Sequence, residues 1–122
     1  MPYRSEFKEE SGLVRARIAG AGDVDEFVSA LRWLGAESVA WKSSLLLVDL
    51  TGVETVYSFT DQLTIGKAVG VNFRHLRKHA AVVRPERITR VGERAAQHEG
   101  SQVQVFADEA EALEWLRREP VP

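Results

Sequence analysis

The run Leu45-Leu46-Leu47-Val48, closed by Asp49, decides how this chain folds. Four apolar residues stand together without alternation. A strand with one wet face would alternate, so this run reads as a strand buried on both faces, as in a parallel sheet. Parallel neighbours cannot be joined by tight turns and need long crossovers, usually helical ones. The sequence on either side supplies them.

Downstream, Gly52 marks a loop, and Ser58 and Thr60 are both candidate N-caps for a helix. Ile65, Ala68, Val69, Phe73 and Leu76 recur at helical spacing and predict that this helix runs to about Lys78. Gly66 and Gly70 inside it cost helix stability, which close packing against a neighbour would offset. Ala80 to Val83 predicts a short strand. Pro85 suits the first turn of a third helix, whose weak apolar face is Ile88, Val91 and Ala95 and which ends at Gly100. Val103, Val105 and Phe106 predict the last strand. Asp108 then caps a helix, with Glu111 three residues on and Ala112, Leu113, Trp115 and Leu116 on its buried side.

Upstream, Tyr3 to Lys8 and Leu13 to Ala19 alternate around the Ser11-Gly12 turn and read as a β-hairpin. Asp23, with Glu26 three residues later, makes a capping box before Val24, Phe27, Val28, Leu31 and Leu34. Gly35 ends that pattern, and Ala36 to Ser43 reads equally as helix or loop. The predicted order is ββαβαβαβα. It is an α/β fold, a mixed five-stranded sheet in which an N-terminal hairpin joins parallel strands, with four helices. Residues 1–122 read as a single domain.

The chain has 122 residues, 44% of them hydrophobic and 28% charged, which is the balance of a folded protein. Its 16 basic and 18 acidic side chains leave a net charge of -2, so no nucleic-acid partner is expected. The absence of cysteine excludes disulfides, thiolate metal sites and thiol chemistry. The first residues lack the apolar stretch of a signal peptide, and no run is long enough for a transmembrane segment. A cytoplasmic location is the expectation.

The segment Leu45-Leu46-Leu47-Val48-Asp49-Leu50-Thr51-Gly52-Val53, leading into a helix within this order of elements, resembles the STAS superfamily. The ending from Val103 to Leu116, with Asp108-Glu109-Ala110-Glu111-Ala112-Leu113-Glu114-Trp115-Leu116, resembles its SpoIIAA-like branch. The resemblance implies the fold above and a protein-interaction or signalling module that is not an enzyme. Relatives that antagonise anti-sigma factors are switched by phosphorylation in an Asp-Ser-Ser-Gly segment. That segment aligns here with Tyr57-Ser58-Phe59-Thr60, of which only Ser58 is retained. A lipid-binding branch of the resemblance implies a small-ligand or lipid-binding domain as the alternative.

The loop from Thr51 to Thr60 is the candidate working surface. It follows the carboxyl end of a buried strand, where open α/β sheets place ligands, and it enters a helix N-terminus. Asp49, Thr51, Tyr57, Ser58, Phe59 and Thr60 are its candidate partner- or ligand-binding residues, and Ser58 is the candidate phosphorylation site. Against this, Ser58 or Thr60 serves simply as a cap, and Asp49 as a turn former. Arg74, Arg77 and Lys78 form a candidate anion patch, or a solvated helix end. His75 and His79 have i, i+4 spacing, but the surrounding cations oppose a metal, and none is expected. Trp33 and Trp41 read as interface or as ordinary partial burial, and Trp115 as core. No nucleophile elbow, phosphate-binding loop or zinc-protease motif occurs, so no catalytic residue and no cofactor is assigned. The polar groups at the end of the central strand are the sole motive for an enzymatic reading. A free hairpin edge makes a homodimer a further candidate.

Overall fold

The computed structural model describes residues 2–10 and 12–118. The elements are β1 (Tyr3–Glu10), β2 (Leu13–Gly20), α1 (Val24–Ser38), β3 (Leu45–Asp49), α2 (Phe59–Phe73), β4 (Lys78–Val82), α3 (Val91–His98), β5 (Val103–Phe106) and α4 (Glu109–Arg117), with one 3-10 turn at Pro85–Arg87. The sheet order is β1-β2-β3-β4-β5. β1 pairs antiparallel with β2, and every other pair is parallel. The expected order and mixed sheet are therefore observed.

Sheet order dictates where the helices lie. Each strand from β2 to β5 sits one place further along in the same direction. Right-handed crossovers then put α1, α2 and α3 on one face. α4 follows the last strand and folds back over the other face. The two cores match this layering. Val14, Ala16, Ile18, Leu46 and Val48 turn toward Phe27, Leu31, Leu34, Phe73 and Leu76. Leu13, Leu47, Ala80 and Val82 turn toward Ala112 and Leu116 of α4. Leu46, Leu47 and Val48 are all buried, as a strand covered on both faces requires.

Local chemistry fixes the helix starts. Asp23 and Glu26 form the expected capping box, with Glu26 N donating to Asp23 Oδ1 at 2.9 Å and Asp23 N to Glu26 Oε1 at 2.8 Å. Ser58 Oγ accepts from Asp61 N at 3.1 Å, so Ser58, not Thr60, caps α2. Asp108 caps α4.

Two readings need correction, and one left open is resolved: α1 continues past Gly35 to Ser38. A Cβ at Gly35 would lie 2.8 Å from Asn72 Cβ, so the glycine marks where α1 meets α2. α2 stops at Phe73 rather than Lys78. Leu76 N turns back to Phe73 O, and Arg77 N donates to Ser44 O, drawing the chain into the sheet. Lys78 and His79 therefore stand on β4, and His75 and His79 share no helix. Pro85 and Ile88 do not belong to α3. Arg90, with φ of 65°, breaks the chain between the 3-10 turn and that helix. Of the expected Ser11-Gly12 turn, Ser11 lies outside the described residues, as do the ends of the 1–122 span. No described helix is long and apolar enough to cross a membrane.

Candidate functional site

The loop after β3 is stitched down on three sides. Asp49 Oδ1 accepts from Thr51 N at 2.9 Å and from Thr51 Oγ1 at 2.6 Å, closing a turn. Gly20 N donates to Gly52 O, and Glu54 N to Gly20 O, extending the pairing with β2. From the other side Arg84 Nε donates to Thr51 O at 2.9 Å. The Arg87 guanidinium spans the carbonyls of Val53, Glu54 and Thr55 at 3.1, 3.2 and 3.2 Å. Asp49 and Thr51 are thus engaged with each other.

Tyr57 anchors the far end of the loop. Its hydroxyl donates to Gly22 O at 2.8 Å and makes a 2.5 Å contact with the Tyr3 hydroxyl. Burial, then the bond to Tyr3, pushes the Tyr57 phenol above its ordinary pKa, so it stays protonated. Its ring packs on Phe27, 5.7 Å between centroids. Gln62 Nε2 donates to Tyr57 O at 2.9 Å and ties the loop to α2.

What this rigid loop presents outward is apolar. Val56 is 73% exposed and Phe59 65%, and Leu63 stands one helical turn beyond Phe59 on the same side. Ser58 and Thr60 lie exposed among them. Of the candidate residues, Ser58, Phe59 and Thr60 gather at the start of α2, while Tyr57 points inward and Asp49 and Thr51 form the turn. The sequence reading missed Val56 and Leu63. Their signal was present, because both are apolar and neither belongs to the stripe that runs through Ile65 and Phe73.

Beneath the loop, between α2, α3 and strands β4 and β5, lies a cavity of about 240 Å³. Leu50, Val53, Ile65, Val69, Ala81 and Val105 give it apolar walls, and Tyr57 and Gln62 reach its rim. Gly66 and Gly92 form part of its lining. A Cβ at Gly66 would meet Gly92 O at 2.5 Å, so the expected close contact at Gly66 is with α3.

Arg74, Arg77 and Lys78 lie at the opposite end of the sheet from the loop. Arg74 caps the C-terminus of α2, and Arg77 leads into β4. Lys78 Nζ donates to Trp115 O at 2.8 Å and Arg118 O at 2.9 Å, and stands 4.8 Å from the Trp115 ring centroid. It caps α4, where a cation suits the carbonyl end. His79 is buried against Phe73 and hydrogen-bonded to Ser101, and His75 Nε2 bonds Ser38 Oγ at 2.8 Å. Among the described residues no cluster of His, Asp and Glu could hold a metal.

The SpoIIAA-like family model matches residues 13–117 of the chain. Its fold is similar to the crystal structure of an anti-sigma factor antagonist from Mycobacterium paratuberculosis, with a TM-score of 0.61, 17% identity and 95% of each chain covered. It is also similar to an uncharacterised protein with a SpoIIAA-like fold from Shewanella loihica, with a TM-score of 0.55, 17% identity and 93% of each chain covered. No curated protein matches.

Proposed function

We infer the function from one premise: the chain belongs to the SpoIIAA-like family. The chain is a protein-interaction module that docks its partner through the start of α2, as a non-enzymatic signalling element. One observation carries this reading. Val56, Phe59 and Leu63 are exposed together on a backbone that Arg84, Arg87, Tyr57 and Gln62 hold still. Exposed aromatic and aliphatic groups on a rigid support bind at low entropic cost, and they mark interfaces. The fold neighbour described as an anti-sigma factor antagonist supports a protein partner. Asp49 and Ser58, the groups that would motivate an enzyme, are spent on a turn and a cap. Ser58 is the proposed modification site. A phosphate there would add about two negative charges beside Phe59 and change what the patch accepts.

The test is capture from the chain's own cells with the parent and Phe59→Asp proteins side by side. The partner recovered with the parent is lost with Phe59→Asp, whose substitution is exposed and leaves the fold intact. Equal recovery of the same partner would remove the start of α2 as the docking surface.

The cavity favours a second reading, in which the domain holds a small apolar ligand under the loop. Its volume exceeds the roughly 150 Å³ that suffices for a benzene-sized guest.

A further inference from the structure

We propose that the outer edge of β1 is a self-pairing surface, on which a second copy of this chain adds its own β1 antiparallel. β1 is bonded to β2 alone, so one side of its backbone is open. The bond from Ala21 N to Pro2 O at 3.2 Å fixes which groups are free. Hydrogen-bonded pairs alternate along an antiparallel ladder, so the even-numbered residues of β1 bond to β2. Tyr3, Ser5, Phe7 and Glu9 then send their N–H and C=O groups outward, and among the described residues these have no backbone partner.

Side-chain order selects one register. Arg4, Glu6, Lys8 and Glu10 share the face of β1 turned away from α1, and all are exposed. Their signs reverse about Phe7. When Phe7 stands opposite the Phe7 of the second copy, outward backbone groups meet outward backbone groups. In the same register Glu6 faces Lys8, and Arg4 faces Glu10, on both sides of the two-fold axis. Sliding to either neighbouring register with the same backbone fit opposes Glu6 to Glu6 and Arg4 to Lys8, or Lys8 to Lys8 and Glu6 to Glu10. Like charges directly opposite destabilise a pair, and opposite charges stabilise it. A charged edge ordinarily keeps other chains away. This one disfavours the two neighbouring registers and admits the one centred on Phe7, an isologous contact.

The other face of the edge adds apolar contact. Phe7 lies against Trp33 and Trp41, with ring centroids 5.9 and 5.1 Å away, and Trp33 is 41% exposed. Trp41 Nε1 is buried without an acceptor, so the edge carries an unsatisfied side-chain donor beside its open backbone. The resulting sheet has ten strands. The start of α2 and the cavity over β4 and β5 lie away from the join and stay open.

Sedimentation equilibrium over a concentration series tests this, with far-UV circular dichroism to confirm that each variant is folded. The parent shows a reversible dimer. Glu6→Lys and Lys8→Glu each place like charges across the axis, and each raises the dissociation constant at least about tenfold. Mixing the two variants restores the dimer mass, because both cations of the first variant then face both carboxylates of the second across the axis. A parent that stays monomeric at every concentration overturns the proposal. So does a dimer that ignores both substitutions, or a mixture of the variants that stays monomeric.

Discussion

One sheet face carries two halves built to different standards. Over β2 and β3, Phe27, Leu31 and Leu34 of α1, Phe73 of α2 and Leu76 just after it press onto Val14, Ile18 and Leu46, each at most 5% exposed. Over β4 and β5, the corresponding layer is made of Ala81, Val103, Val105, Gly66, Gly92 and Ala96, and about 240 Å³ is left unfilled. Both halves are right-handed crossovers on one continuous sheet. The difference is therefore one of side-chain volume. α3, eight residues long, buries only Ala96, and the glycines bring its backbone onto α2 without filling the space beneath. Stability is concentrated in the first half, and room to bind something in the second.

The largest expected effect follows from truncating each half in turn. Leu34 is fully buried, and Leu34→Ala should cost about 3 kcal/mol, the transfer term plus a new cavity. Val105, partly buried at the cavity wall, should cost only about 1 kcal/mol on Val105→Ala, because its surroundings are already loose. Urea unfolding of both variants measures the contrast. Equal losses would mean that the two halves are equally well packed.

His79 sharpens the boundary between them. It is 3% exposed, packs on Phe73, bonds Ser101 and has His75 nearby. Burial, then His75, pushes its imidazole down to about 4. The unfolded chain takes up this proton near the ordinary histidine value of about 6.5, while the native state refuses it until about pH 4. In that window the unfolded state binds more protons, so stability falls as pH drops from about 6.5 to 4 and then levels. By pH 4.5 this one group should remove roughly 2 kcal/mol. Comparing urea midpoints at pH 7 and pH 4.5 for the parent and His79→Gln isolates it from the carboxylates. The variant should lose distinctly less. An identical decline would mean that water reaches the imidazole and that the tight half ends before β4.

The tight half was the more legible in sequence, and the reason is physical. The run Leu45 to Val48, the capping pair Asp23 and Glu26, and the apolar spacing from Val24 to Leu34 are local patterns. They fixed β3, α1 and the element order. Ser58 could be read as a cap because three residues suffice to define one. What failed depended on distant partners. Leu76 has helical spacing from Phe73, yet Arg77 N finds Ser44 O and the chain leaves the helix for the sheet. Lys78 looked like a cation for the helix before it and proved to cap α4. Arg87, which holds three carbonyls of the candidate loop, carries no sequence signal beyond being an arginine after a proline. The cavity has none at all, since a void is the absence of volume and no periodicity records it.

The smallest effect expected is a gain, and it tests the loose half and the ligand reading together. Ala81 sits on β4 with its side chain at the cavity wall. Ala81→Ile adds three carbons there, in a residue type that strands favour. If the space is empty, burying part of that addition should stabilise by about 1 kcal/mol after some strain, seen as a shift of about 4 °C in Tm. If the cavity carries a small apolar guest, native mass spectrometry of the parent shows the added mass. Ala81→Ile then loses it, and the gain in stability is reduced by the binding free energy forfeited. A destabilised variant with no guest in the parent would show that the region has no room to fill. The contrast between the halves would then rest on glycine contacts alone, and the ligand reading would go with it.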